Sequence, residues 1–106
     1  MPDQIQFRLY LLETDKFDGA PAYQAVARYL LKHDYAGATV YRGLEGYGTT
    51  HKLHSADILD LSSSLPVVVE VIDSPDRIRA LTSHLKDSGL AKGRLLTEQT
   101  VHASRL

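Results

Sequence analysis

One stretch of the chain concentrates residue types that bind anions. It runs from Gly43 to His54, with glycines at 43, 46 and 48 followed by Thr49, Thr50 and Lys52. Glycines allow positive φ angles and let backbone N–H groups approach an anion closely. Hydroxyl and ammonium groups donate hydrogen bonds to phosphate. The pattern is therefore compatible with a phosphate-binding loop, but glycines at the end of a strand are more often ordinary turn residues.

The same stretch offers a second chemistry, the binding of a metal. His51 and His54 lie three residues apart, with Glu45 and Asp57 nearby, and imidazoles and carboxylates are common ligands of transition metals. A spacing of three puts two side chains on one face of a helix but on opposite faces of a strand. Nothing in the stretch indicates a helix. We therefore interpret both histidines as exposed loop residues and predict no metal site, with a metal-handling trimer or small-substrate enzyme as the alternative.

The first half of the chain supplies a strand, a turn and a helix to position this stretch. Residues Ile5–Leu12 alternate between apolar and polar, which predicts a half-buried strand. In the polar loop that follows, Asp15 and Lys16 are interpreted as a solvated ion pair, and Asp18-Gly19 as a turn. Pro21 suits the start of a helix, and Gly37 is its expected stop. The apolar stripe of that helix comprises Tyr23, Val26, Ala27, Leu30 and Leu31.

The second half repeats this order. Residues Ala38–Leu44 are rich in β-branched and aromatic side chains and predict a strand. The apolar run Val67–Ile72 predicts a buried one, and Ser74, Pro75 and Asp76 form a strong helix start. The second helix carries Ile78, Leu81 and Leu85 and ends at Ser88-Gly89, and Leu95–Val101 predicts the last strand. The order β-α-β-β-α-β predicts an α+β, ferredoxin-like domain over residues 1–106, with two helices on one face of a four-stranded antiparallel sheet.

The connection between the second and third strands is unusually long, from about Glu45 to Leu65. Most connections in compact domains span roughly 4–6 residues. Residues Ser55–Leu61 contain apolar side chains, and the pattern is about equally compatible with strand residues that extend a hairpin and with an irregular connection. Even so, a polar, glycine-containing tip at 46–54 remains. A small domain seldom keeps so long a connection without a function, so we expect it to bind something.

Composition narrows the classes of function. The 106 residues include 12 Lys and Arg against 13 Asp and Glu, a net charge of −1, and no cysteine. No broad positive field exists to hold nucleic acid, and cysteine nucleophiles and thiolate metal sites are excluded. Apolar runs are far shorter than the ~20 residues of a membrane span, and no signal peptide is visible. We therefore expect a cytoplasmic domain that is not embedded in a membrane, with any ligand site between subunits because little room exists for a private pocket.

Three segments together resemble a known family. They are Ala36–Gly48, Leu65–Ser74, and Asp15-Lys16 followed by Gly19, Pro21 and Tyr23. In their order along the chain, these segments resemble those of the uncharacterised-domain family 190. That family is similar to the PII signal-transduction proteins. The resemblance covers nearly the whole chain. It implies a homotrimer, adenine nucleotides bound in clefts between subunits, and a long connection (the T-loop of PII proteins) that responds to the nucleotide and contacts a target protein.

The resemblance also implies particular residues. Gly46-Tyr47-Gly48 is similar to the Gly-Phe-Gly at the base of the PII T-loop, which borders the nucleotide, and Thr49 follows it. The segment Ser88–Arg94 loosely resembles the PII phosphate-binding loop, so Lys92, Gly93 and Arg94 would contact phosphate, although a solvated basic turn after a helix is about equally compatible. The partner-binding part of the loop would comprise Thr50, His51, Lys52, Leu53 and His54.

Two departures from PII proteins limit what carries over. PII proteins have a glutamine two residues after the Gly-Phe-Gly, used with magnesium and 2-oxoglutarate, and Thr50 stands there instead. No tyrosine follows Tyr47, so the loop lacks the tyrosine that some PII proteins have modified with a nucleotide. We therefore expect neither 2-oxoglutarate binding of the PII kind nor that modification.

The sequence thus predicts a PII-like regulatory protein rather than an enzyme. A small effector, an adenine nucleotide first among the candidates, would bind between subunits of a homotrimer. The 45–65 connection would then control a partner such as a membrane transporter. The alternatives are the metal-handling or small-substrate enzyme trimer built on Glu45, His51, His54 and Asp57, and a plain interaction module with an empty cleft.

Overall fold

The computed structural model describes residues 3–48, 54–55 and 64–106. Its main sheet has the order β4-β7-β1-β8, and every neighbouring pair is antiparallel. The ferredoxin-like sandwich that the sequence predicts is confirmed. The strands are β1 Gln4–Leu12, β2 Lys16–Phe17, β3 Ala20–Pro21, β4 Ala38–Arg42, β5 Glu45–Gly46, β6 His54–Ser55, β7 Pro66–Asp73 and β8 Leu96–Val101, and the helices are α1 Ala22–Lys32 and α2 Pro75–Ser88.

Both helices cover one face of the main sheet, and the core lies between them. Phe7 and Leu9 of β1 are fully buried, as is Val69 of β7, because alternate residues of a strand point to the same face. From the helices, Val26, Leu30, Ile78, Leu81 and Leu85 complete this cluster. Burying a leucine or phenylalanine side chain contributes roughly 1.5–3 kcal/mol, so this layer is the main source of stability within one chain.

No helix of the described residues lies over the other face of the sheet, here called the open face. At its centre, Arg8 Nε donates to Glu70 Oε2 at 2.7 Å, and this bond to the carboxylate raises the pKa of Arg8. Around the pair lie partly exposed apolar groups, among them Tyr10, Tyr41 and Ile72. Phe7 and Leu9 belong to the opposite face, in the core cluster with the helix residues. The open face is mixed rather than apolar.

The second helix begins and ends where the sequence predicts. Ser74 Oγ accepts a hydrogen bond from the backbone N–H of Arg77 at 3.4 Å, Pro75 occupies the first turn, and Gly89 ends the helix at φ 72°. Serine caps and left-handed glycines satisfy the unpaired backbone groups of helix ends. The predicted Asp18-Gly19 turn also forms, with φ angles of 51° and 79°, and it joins β2 to β3.

The first helix departs from the sequence prediction at its end. It stops at Lys32, and Asp34 rather than Gly37 takes the left-handed conformation, with φ 56°. Aspartate tolerates this region better than most residues do. Leu31, predicted in the apolar stripe, is 80% exposed. The stripe of five residues is wider than the helix surface that the sheet covers, so its last member lies outside the core.

Candidate functional site

The connections that carry the predicted site all leave the same end of the main sheet. Leu12 of β1 pairs with Pro66 of β7, and Arg42 of β4 pairs with Val67. On the other side of β1, Leu9 pairs with Leu96 at the start of β8. The ends of β1 and β4 therefore lie beside the starts of β7 and β8. We call this end of the sheet the loop end.

The glycine-rich turn after β4 packs closely on Pro66. The N–H of Gly43 donates to Pro66 O at 2.7 Å, and a Cβ on Gly43 would lie 2.8 Å from Pro66 Cγ. At Gly46 the same ring atom would lie at 3.4 Å. None of Gly43, Gly46 and Gly48 has a positive φ. The three glycines do not use the positive φ angles that their type allows, and at Gly43 the lack of a side chain serves close packing against proline.

Only part of the long 45–65 connection lies within the described residues. Glu45 pairs with Ser55 and Gly46 pairs with His54, which forms the short β5–β6 ladder. Tyr47 follows it with its side chain 70% exposed. Of the predicted ligand and partner residues, Thr49, Thr50, His51, Lys52 and Leu53 lie outside the described residues, as does Asp57. Those predictions stay predictions.

The predicted phosphate turn follows α2 as a compact set of backbone hydrogen bonds. The N–H of Lys92 donates to Gly89 O at 3.3 Å, and the N–H of Arg94 donates to Ala91 O at 3.0 Å. Gly93 has a φ of 79°, which a residue with a side chain seldom adopts. This conformation turns the chain into β8 and leaves Lys92 exposed.

A cleft of about 590 Å³ lies between this turn, the last turns of α2 and the start of β8. Its lining includes Lys86, Lys92 and Arg94, with Leu9 and Leu96 from the sheet. Three cations against the single carboxylate of Asp87 give the cleft a local positive charge. The last carbonyls of a helix carry partial negative charge, so part of this cationic character complements the helix end. The exposed side chains of Lys86 and Lys92 remain open to a dissolved anion.

Arg94 already has an anionic partner. Its Nη2 contacts Asp15 Oδ1 at 2.5 Å, and the other oxygen, Oδ2, accepts the N–H of Leu12 at 2.9 Å. The side chains of Arg94 and Asp15 are only 36% and 20% exposed. The interpretation of Asp15 as half of a solvated pair with Lys16 is therefore wrong. No local pattern could indicate this contact, because 79 positions separate the two residues.

The two predicted ligand segments do not meet within one chain. Residues 46–48 follow β4 at one edge of the sheet, whereas residues 92–94 precede β8 at the other, with β7 and β1 between. Neighbouring strands lie about 4.8 Å apart, so three spacings separate the two edge strands by roughly 14 Å. Both segments lie at the loop end, but at opposite edges of the sheet.

A second cleft, of about 780 Å³, lies at the end of the open face opposite the loop end, and no sequence pattern indicates it. Residues Ala103–Arg105 border it together with Ala36–Thr39, Glu70 and Ile72. Arg105 Nη2 reaches Ala36 O at 3.4 Å. The sequence could not reveal this cleft, because it depends on the path of the chain after β8.

Two other features are absent from the described part of the chain, namely a cluster of metal ligands and a membrane-spanning helix. In residues 3–48, 54–55 and 64–106, no three His, Asp or Glu side chains come together in a way that could hold a metal ion. The same residues include no helix long and apolar enough to cross a membrane.

Comparison with known proteins identifies the family. The family model DUF190, described as Uncharacterized ACR, matches residues 4–103. A UPF0166 protein of Aquifex aeolicus is 35% identical over 79 residues, 74% of this chain and 75% of that protein. A UPF0166 protein of Methanocaldococcus jannaschii is 37% identical over 87 residues, 78% of this chain and 80% of that one.

One solved structure shares the fold across nearly the whole chain. It is a CPII protein from Thiomonas intermedia K12, bound to ADP and bicarbonate. The match covers 98% of this chain and 91% of that one, with a TM-score of 0.70 and 12% sequence identity. At that identity the match establishes the fold and not the ligand. The chain belongs to the DUF190 (UPF0166) family and has a PII-like, ferredoxin-like fold.

Proposed function

We propose that this member of the DUF190 family is a regulatory protein that binds an adenine nucleotide in clefts between the subunits of a homotrimer. One wall of each cleft would be Gly46-Tyr47-Gly48 with Thr49. The other would be Lys92, Gly93 and Arg94 of a neighbouring chain. The observation that carries the proposal is the placement of these segments at one end of the sheet but at opposite edges, since each edge strand then offers its segment to a neighbouring chain.

The charges of the cleft support a phosphate ligand. Lys86, Lys92 and Arg94 line it, and Lys92 is exposed. The CPII protein of similar fold holds ADP, so a nucleoside diphosphate is the first ligand to test. A chain with a net charge of −1 has no general affinity for anions, so binding would depend on these local cations.

The open face supports an assembly. Tyr10, Tyr41 and Ile72 surround the Arg8–Glu70 ion pair on the sheet face that neither α1 nor α2 covers. A second chain placed on this face would remove these partly exposed groups from water. It would also exclude solvent from the ion pair, so that salt screens the attraction between Arg8 and Glu70 less. We expect three chains to meet through this face, with residues Thr50–His54 left to contact a partner protein, such as a membrane transporter, once the nucleotide is bound.

The nucleotide proposal is tested by calorimetry of the purified chain with ADP, ATP and AMP, together with light scattering to measure the mass. We expect a trimer that binds at least one nucleotide. Lys92→Ala should weaken binding about tenfold or more, because a hydrogen bond to a charged group contributes roughly 1.5–3 kcal/mol. Lys32→Ala, which removes the same charge from the end of α1, should bind normally. A monomer, or equal affinities for the two variants, would contradict the proposal.

A further inference from the structure

The two predicted functional segments are linked within one chain through the loop after β1. Arg94 of the turn contacts Asp15. The two residues before Asp15 bind the chain just before β7, since Thr14 N–H donates to Ser64 Oγ at 3.0 Å and Glu13 N–H donates to Leu65 O at 2.9 Å. Residues 13–15 thus lie between the basic turn and the end of the long connection.

The start of the long connection is tied to the same loop. Arg42, the last residue of β4, contacts Glu13 Oε1 through its Nη2 at 2.5 Å. Gly43 is fixed in turn by its hydrogen bond to Pro66 O. Both stems of the connection are therefore held by the loop after β1, one through Arg42 and the other through Ser64 and Leu65. The side chain of Ser64 is buried, so its bond to Thr14 lies away from solvent.

We infer that Asp15 is a built-in competitor for the anionic ligand of Arg94 and that its release transmits binding to both stems of the long connection. The inference rests on the proposed nucleotide site for its ligand. A terminal phosphate, or another compact oxyanion, offers Arg94 the same paired oxygens as a carboxylate does. Phosphate that takes Arg94 would leave the Asp15 carboxylate with the N–H of Leu12, and residues 13–15 would lose one of the contacts that hold them in place.

The coupling has a defined direction. The ligand favours the state in which Arg94 is released from Asp15, whereas the Asp15 carboxylate favours the state in which the two side chains are paired. An effector shifts such an equilibrium only through its different affinity for the two states. A chain that lacks the Asp15 charge should therefore bind the anion more tightly and should already have the looser stems. A loop that is merely destabilised would also have looser stems, but it would not bind its ligand more tightly. Tighter binding together with looser stems therefore distinguishes the coupling from simple destabilisation.

The test compares Asp15→Asn with Asp18→Asn. Asparagine at 15 can still accept the N–H of Leu12 but no longer pairs with the guanidinium. Asp18 lies in the same loop, is exposed and has a φ of 51°, which asparagine adopts readily. Both variants thus remove one negative charge, and only one of them acts on Arg94. The measurements are ADP calorimetry and amide hydrogen exchange at Glu13, Thr14 and Gly43 with and without ADP.

We expect Asp15→Asn to bind ADP about two- to fivefold more tightly, which corresponds to the energy of an ion pair that solvent still reaches. Amides of residues 13 and 14 should exchange faster than in the wild type without ADP, and ADP should add little. In the wild type and in Asp18→Asn, ADP itself should speed this exchange. Unchanged or weaker ADP binding by Asp15→Asn, or unchanged exchange, would overturn the inference. If the wild type binds no ADP, the nucleotide proposal fails, and exchange in the two ligand-free variants alone decides whether Asp15 holds the stems.

Discussion

Replacing Gly43 by alanine tests the packing between the turn after β4 and Pro66. The added Cβ would lie 2.8 Å from Pro66 Cγ, well inside the contact distance of two carbon atoms. The proline ring is stiff, and the hydrogen bond from Gly43 N–H to Pro66 O at 2.7 Å prevents the turn from moving away. Overpacking of this kind costs about 1–3 kcal/mol. For a domain of this size, that lowers the midpoint of thermal unfolding by roughly 4–12 °C.

The measurement is thermal unfolding followed by circular dichroism, at one chain concentration because assembly would shift the midpoint. Gly46→Ala and Gly37→Ala complete the series. A Cβ at 46 would lie 3.4 Å from the proline ring, whereas a Cβ at 37 would meet nothing within 4 Å, and neither glycine has a positive φ. Gly46→Ala should be nearly neutral, and Gly37→Ala should be neutral or slightly stabilising. A midpoint for Gly43→Ala equal to that of Gly37→Ala would refute the packing argument.

Two further predictions concern α2. Burial raises the pKa of Tyr35, whose hydroxyl donates to a carbonyl of α2 at 2.9 Å. A raised folded-state pKa gives stability that is fully present below the unfolded value near 10 and is lost as pH rises through the folded value. Tyr35→Phe should therefore flatten the fall in unfolding midpoint between about pH 9 and 11. An unchanged slope would exclude this role of Tyr35. Ser74→Ala should lower the free energy of unfolding by about 0.5–1 kcal/mol, at the low end for a helix cap because the cap bond is long at 3.4 Å. In urea unfolding, Ser83→Ala, at an exposed position of the same helix, should leave that free energy unchanged. Equal losses for the two variants would contradict the capping assignment.

Much of the fold could be predicted because its determinants are local. Ser74 and Pro75 start a helix through neighbouring backbone groups, and Gly89 ends it through its own φ angle. The alternation in β1 shows directly which residues face the core. In β7 the apolar run hid the alternation, since valines at 67, 69 and 71 are buried while the residues between them face the open side. A run of one residue type cannot show which face the helices cover.

The candidate site could be predicted only in part, because its contacts join distant parts of the chain. The turn at Gly89–Arg94 follows from glycine positions that the sequence displays. The pairing of Arg94 with Asp15 does not, and neither does the packing of Pro66 on Gly43. Both depend on the register of four strands at the loop end. The end of α1 illustrates the same limit, because Asp34 took the conformation expected of Gly37.

The central claim is that one ligand site combines segments from two chains, and complementation between two variants tests it most directly. Gly48→Glu places a carboxylate where a Cβ meets nothing within 4 Å, so the chain should fold while repelling phosphate. Lys92→Glu reverses the charge of the other wall. Each variant alone should fail to bind ADP in calorimetry. Assemblies made by co-expressing both chains, purified through a different tag on each, should regain ADP binding, because a Gly48 wall of one chain then faces a Lys92 wall of the other. Mixed assemblies that bind no ADP, beside a wild type that does, would contradict the claim.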